Sequence, residues 1–353
     1  MTQHDNRDSS KRMTRIAWAD YAKGICIILV VMLYAVEHVE GVAGHAGWLD
    51  AVVAFARPFR MPDFFFVSGV LLTLAIHRDW RTFLDRKVVH FAYFYALWLT
   101  ILVAFGSRWI AAKTGWSGVG ALYVKSFVHP YSMLWFIYLL PVFFVLTKAL
   151  HRAPPLLVWL CAAALQIAGL ETGIKVLDKF APYYVFFYSG YLLAPYVLRL
   201  ADAVSARPAR AVVGIGLWGV LEAYLVLADY ALLPGISLAL GLIGAAAVVS
   251  VSALIAKTPV FAPLAYCGRN SLVVYLAFAI PLAVAAKLLF SSGLIKDVGS
   301  IAALVTVAAI AGALVLHRLV RGTALRFLFE RPARFHLARV NEQRERGPLP
   351  KGA

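Results

Sequence analysis

Residues 18–41 run WADYAKGICIILVVMLYAVEHVEG, an apolar stretch of membrane-crossing length with ionisable groups near both ends. An ionisable side chain in such a stretch is costly unless it faces a bundle interior or an aqueous cavity, and so it marks function. At about 100° per residue, Lys23 and Tyr34 are eleven positions apart and point the same way, about 16 Å from each other along the axis. His38 continues that stripe one turn further, Glu37 lies beside it, and Asp20 sits one turn before Lys23. Taken alone, the stretch also fits a signal anchor with charges at the two interfaces. It is interrupted by Lys23, Glu37 and His38 and lacks a small-residue cleavage site, so it is expected to be a retained helix.

Composition sets the class. Of 353 residues 62% are hydrophobic and 15% charged, and the mean hydropathy is +0.77, far from the balance of a soluble domain. The chain is expected to be an all-α polytopic integral membrane protein. About ten runs are long enough to cross a hydrocarbon core of roughly 30 Å. They cover residues 24–42, 52–76, 89–111, 133–150, 156–170, 181–200, 212–233, 236–256, 272–290 and 301–319.

The net charge of +16 is explained by topology rather than by nucleic acid. Arg7, Lys11, Arg12 and Arg15 precede the first run, Arg78, Arg81, Arg86 and Lys87 follow the second, and later alternate loops and the C-terminal end carry most of the rest. The intervening loops hold only Arg108, Lys113, Lys125, Lys175, Lys179, Lys287 and Lys296. Positive loops stay in the cytoplasm, so both termini are expected there. Residues 1–15 then form a cytoplasmic tail, 16–320 the transmembrane domain, and 321–353 a basic tail that meets water or anionic lipid. Cys26, Cys161 and Cys267 fall inside apolar runs without metal-ligand spacing and are expected to be buried fillers.

A second cluster lies at residues 56–72, ARPFRMPDFFFVSGVLL. Pro58 and Pro62 each remove a backbone donor, which predicts a broken or kinked helix. Arg57, Arg60 and Asp63 fall in that irregular part, near the depth of Tyr34 and His38. An Arg60–Asp63 ion pair and a role in ligand binding are both compatible with the pattern. Ser68 and Gly69 allow close helix approach.

These stretches together resemble a known family. ADYAKGICIILVV (19–31), FRMPDFFFVSGVLL (59–72), DRKVVHFAYFY (85–95), SMLWFIYLLPVFF (132–144) and CGRNSLVVYL (267–276) are similar, in order, to the membrane-bound acyltransferase family 3, in its sugar O-acetylase-like branch. The resemblance implies a ten-helix bundle that takes an acetyl group from cytoplasmic acetyl-CoA and passes it to a carbohydrate hydroxyl. The implied setting is a bacterial inner membrane, with membrane lipid around the chain, no tightly bound cofactor and no metal.

Three departures from the family pattern stand out. The family's first helix carries a basic residue and, eleven later, a histidine; here these are Lys23 and Tyr34, and a phenol of ordinary pKa about 10 is a poorer base. His38, one turn on, is the expected substitute, assisted by Glu37 and Tyr34. Where the family shows Arg-x-x-Arg, Lys87 and His90 stand; with Arg86 they are expected to hold the CoA phosphates, Lys23 contributing from the helix. Phe278 occupies a position that is often histidine. Arg60 and Asp63 are expected to orient the sugar or stabilise an oxyanion, with Arg57 and Ser68 lining the acceptor site. Trp135 is either an interface anchor or a sugar-stacking platform. Two other functional classes fit the same residues: a non-catalytic relative serving a glycan pathway, and a transporter of a glycan or lipid-linked substrate, although no internal repeat supports the latter.

Overall fold

A computed structural model describes the backbone of residues 2–337 and the side chains from Ala17 onward. The side chains of Arg7, Lys11, Arg12 and Arg15, and residues 338–353 of the basic tail, lie outside the described residues.

Every regular element among the described residues is helical. The first helix, α1, spans Thr2–Ala43, and its Ala17–Ala43 portion is the apolar crossing. The second crossing is broken as Pro58 and Pro62 require: α2 covers Leu49–Ala56, α3 covers Arg60–Leu72, and Arg57–Phe59 separate them. Asp79 caps α4 (Trp80–Leu84) by accepting from Thr82 N at 2.8 Å. A π-helical turn, Asp85–Val89, leads into α5 (His90–Lys125), which kinks at Gly115, where φ is 73°. Next come α6 (Trp135–Ala149), α7 (Pro155–Ile167), α8 (Lys175–Ala206), α9 (Pro208–Leu227) and α10 (Ile236–Ile255). Prolines open α7 and α9, where a missing N–H costs nothing. The last four are α11 (Ala262–Arg269), α12 (Ser271–Ala277), α13 (Ala279–Ser292) and α14 (Val298–Val320).

Among the described residues six helices are long and apolar enough to cross a membrane, and a seventh crossing results if α12 and α13, bent by 57°, count as one. The other apolar runs do not form long apolar helices by themselves, for physical reasons. Helices α2 and α3 are 8 and 13 residues long, α7 has 13, and the charge-free middle of α8, residues 180–198, is made less apolar by five tyrosines and two prolines.

The core of the bundle is the contact between α3 and α8. A side chain on Gly69 would overlap the Phe187 carbonyl, and one on Gly190 would overlap the Phe66 carbonyl. Two helix backbones thus touch through reciprocal glycines, the packing that membranes favour because dispersion replaces the hydrophobic effect. Helix α10 closes over this pair, Gly241 facing Phe186 and Gly244 facing Phe59. On the other flank α1 lies against α11, where Gly24 meets Leu264 and Gly268 meets the Asp20 backbone. At the end where α1 finishes, Asp297 accepts from Ser300 N at 2.6 Å and Trp48 Nε1 at 3.1 Å, fastening α14 to the turn before α2.

The cysteines correct one expectation. Cys26 is buried, but Cys267 is half-buried and Cys161 is exposed. Helix α7 lies at the bundle's edge, and an apolar residue there faces outward as readily as inward.

The opposite end of the bundle gathers basic residues and the chain beyond α14. Lys148 is buried, donates to the carbonyls of Ile76 (2.6 Å) and Arg78 (2.7 Å), and lies over the rings of Trp80 and Phe83. Residues 324–337 fold back onto α5 and the π-helical turn: Tyr93 donates to Phe327 O at 3.0 Å and Trp98 to Leu328 O at 3.0 Å. Arg331 pairs with Asp85 at 2.7 Å, both side chains being under 5% exposed, and also donates to Asp85 O at 2.8 Å. Leu337 N completes the Asp85 carboxylate at 2.7 Å. Removing one partner of a buried pair leaves an uncompensated charge, so Arg331→Met is expected to cost about 3 kcal/mol. Thermal unfolding in detergent checks this. The double variant Asp85→Asn/Arg331→Met is expected to recover part of the loss.

Candidate active site

Two groups of polar side chains lie within the bundle. The first is built on α1, the start of α3 and the first turns of α6 and α8. Tyr34, half-buried on α1, packs on Phe278 with ring centroids 5.5 Å apart, and its hydroxyl reaches toward the Trp135 indole. Glu37, one turn on and exposed like its neighbour His38, lies in the field of Arg60 and Arg57 at the open end of this group. Arg60 is 6% exposed, and its Nε and Nη1 have no acceptor among the described residues. Around it stand Tyr34, Glu37, Arg57 and Tyr183.

A flat aromatic wall completes the group. Trp135 and Tyr183 stack at 5.4 Å with 24° between their planes, Phe65 packs against both, 5.3 Å from Tyr183 and 6.1 Å from Trp135, and Lys179 Nζ lies 5.5 Å from the Trp135 ring centre. Trp135 is 9% exposed, whereas an interface anchor would present its ring to lipid headgroups. The Tyr275 hydroxyl is taken up by the Met133 carbonyl, which fixes the turn just before Trp135.

The second group is acidic. Asp63 is 1% exposed and has no hydrogen-bond partner among the described residues; Glu222, on α9, is fully buried with the Trp218 indole reaching toward its carboxylate. Asp63 lies near Glu222 and Cys26. The Arg60–Asp63 ion pair is therefore not formed. Three residues fall about 60° short of a full helical turn, which aims Arg60 at α1 and α8 while Asp63 turns toward α9. Glu222 carries a sequence signal, a lone carboxylate in an apolar run, but is not among the site residues expected from the sequence. Tyr183 carried none, since it sits in an aromatic stretch indistinguishable from core.

The other site residues are distributed as follows. His38 is exposed near the end of α1 and makes no hydrogen bond or ion pair with a described residue. Arg57 is exposed and lines a 120 Å³ cavity beside Pro58 and Asp229. Ser68 Oγ donates to Phe64 O at 2.8 Å, so its hydroxyl is spent on the helix backbone. Lys23 pairs with Asp20 at 2.9 Å. At the basic end, Arg86 is exposed, Lys87 Nζ sits 4.5 Å from the Phe144 ring centre, and both line a 260 Å³ cavity with Arg78. His90 is flanked edge-on by Phe91 and Phe94.

The first group offers unpaired cationic donors, a carboxylate and a hydroxyl beside an aromatic face. Such a set suits the stabilisation of a developing oxyanion and the removal of a hydroxyl proton.

Comparison with known proteins gives a consistent result. The family model described as an acyltransferase domain matches residues 16–318. Inner membrane protein YcfT of Escherichia coli K12 is 28% identical over 193 residues, covering 47% of this chain and 54% of YcfT. Nodulation protein NolL of Sinorhizobium fredii NGR234 is 27% identical over 187 residues, covering 52% of this chain and 50% of NolL. The chain thus spans about half the length of these curated relatives. No solved structure matches.

Proposed function

We propose, from the premise that this chain belongs to the acyltransferase 3 family through residues 16–318, that it O-acetylates a carbohydrate hydroxyl with acetyl-CoA as donor. The observation that carries this reading is Arg60, a buried guanidinium with two donors lacking a protein acceptor. Burying an unsatisfied charge is expensive, and in a membrane bundle it persists where function requires it. Those donors suit the thioester carbonyl, whose oxygen gains negative charge as the tetrahedral intermediate forms.

In this scheme the acceptor sugar rests on the Trp135–Tyr183 face, since a pyranose presents C–H groups to an aromatic ring. Glu37 accepts the proton of the attacking hydroxyl. The new C–O ester bond forms, the C–S bond breaks, and the proton passes to the departing CoA thiolate. Tyr34 orients the reacting groups by hydrogen bonding. The donor's phosphates sit at the basic end with Arg86, Lys87 and His90, and Lys23 lies between that end and Tyr34 on α1.

The topology follows the positive-inside rule: about ten crossings, with α2–α3, α7 and α8 added to the long helices, and both termini in the cytoplasm. A bacterial inner membrane is the proposed location, as the printed name of YcfT says of that relative.

Purified protein in nanodiscs, given acetyl-CoA and a cell-surface glycan fraction, is expected to release CoA and add acetyl mass to the glycan. Glu37→Gln is expected to slow this at least tenfold, and His38→Ala to slow it less. The reverse order would move the base to His38. Neither transfer nor thioester hydrolysis by the intact protein would sink the catalytic reading. A second reading, a non-catalytic role in a glycan pathway, is favoured by the contact of Tyr34 with Phe278: both positions implied to be histidine hold aromatic rings, packed on each other.

A further inference from the structure

The segment after α14 holds a cavity of about 440 Å³, lined by Arg326, Phe327, Glu330, Arg331 and Arg334 among others. We propose that this cavity binds phosphate groups, specifically those on the nucleotide portion of a CoA-type donor, with Arg326 and Arg334 as the ligands. The proposal rests on the acyl-CoA reading above and deepens it.

The cavity's walls are fixed. Arg331 gives Nη1 and Nη2 to Asp85 and so acts as an anchor, its Nε alone having no partner among the described residues, while Tyr93, Trp98 and Leu337 tie down the backbone on either side. Arg326 and Arg334, by contrast, are exposed, and neither forms an ion pair with a described residue. Glu330 offsets only part of the positive charge. Arginine's planar fork suits phosphate oxygens in pairs.

The anchor also fixes where this cavity lies. Asp85 immediately precedes Arg86 and Lys87, which line the neighbouring 260 Å³ cavity with Arg78, Leu71, Leu74 and Phe83. The Asp85–Arg331 pair therefore joins two basic cavities, one of them with apolar walls leading toward α3. A ligand with several phosphates at one end and a long, weakly polar arm at the other matches that pairing. A phospholipid headgroup offers the same phosphate chemistry from another source, so the test must tell the two apart.

Isothermal titration of the full-length protein in neutral-lipid nanodiscs would use CoA, dephospho-CoA and pantetheine as probes. Arg326→Ala/Arg334→Ala is expected to weaken CoA binding about tenfold or more, to flatten its salt dependence, and to leave pantetheine binding where it was. Both side chains are exposed, so the variant is expected to unfold at the wild-type temperature. Equal CoA affinity in wild type and variant overturns the assignment and leaves the donor reading standing. No CoA binding by the wild type sinks both. Competition by anionic lipid that the variant loses, with unchanged CoA affinity in neutral nanodiscs, reassigns the cavity to a headgroup.

Discussion

Replacing Arg60 by glutamine is expected to lower acyl transfer at least a hundredfold while the protein becomes no less stable. Two effects act in opposite directions. Loss of a charged donor aimed at a developing oxyanion typically removes a factor of 10² to 10³ from turnover. The same change removes a guanidinium that is 6% exposed with two donors unmatched among the described residues, and relieving such a group favours the folded state. A residue kept for packing or for a structural ion pair behaves differently: its loss lowers the melting temperature. The paired measurement, turnover of acetyl-CoA and thermal unfolding on the same preparation, separates the cases. A marked drop in unfolding temperature with activity retained would place Arg60 in the scaffold and remove the centre of the proposed site.

The second large effect is on folding. Gly190→Leu is expected to destabilise the bundle by more than about 4 kcal/mol, enough to abolish accumulation in the membrane. Overpacking commonly costs 1–3 kcal/mol when side chains can yield. At this position the obstacle is the Phe66 carbonyl, a backbone group in the middle of α3, with Gly69 and the Phe187 carbonyl opposing each other nearby. Neither helix can give way without breaking its own ladder. Gly216 on α9 serves as the control, because a side chain there meets nothing within 4 Å; Gly216→Leu is expected to be tolerated. Expression level and gel-filtration profile in detergent read the outcome. A monodisperse Gly190→Leu protein would mean that α3 and α8 do not meet as described.

The parts of this architecture visible in the amino-acid order are those written locally. Pro58 and Pro62 announce the break between α2 and α3, because each deletes a donor that no neighbour in the helix can replace. The 3.6-residue period places Tyr34 and Glu37 near the same end of α1, and counting inward from Asp50 brings Arg60 to their depth. Asp63 illustrates the limit of such counting: depth was legible, but azimuth depends on how α3 is rotated against α8, which the glycine contact sets. Tyr183 joins Arg60 only because α8 passes there, and an APYYVFFY stretch (181–188) does not single out one ring. The contact of Asp85 with Arg331 bridges 246 positions, and no periodicity or motif in the chain foretells it. Apolar character likewise says little about burial once lipid is the solvent, as exposed Cys161 shows.

That long-distance pairing has a bearing on how the protein is made. Asp85 emerges from the ribosome 246 positions ahead of its guanidinium partner and 252 ahead of the Leu337 amide. Until then the carboxylate has to be kept in water, and the turn carrying Arg86 and Lys87 cannot settle. Assembly of this end thus waits for Arg331: a polypeptide that terminates ahead of it would insert its helices and still present an unfinished mouth.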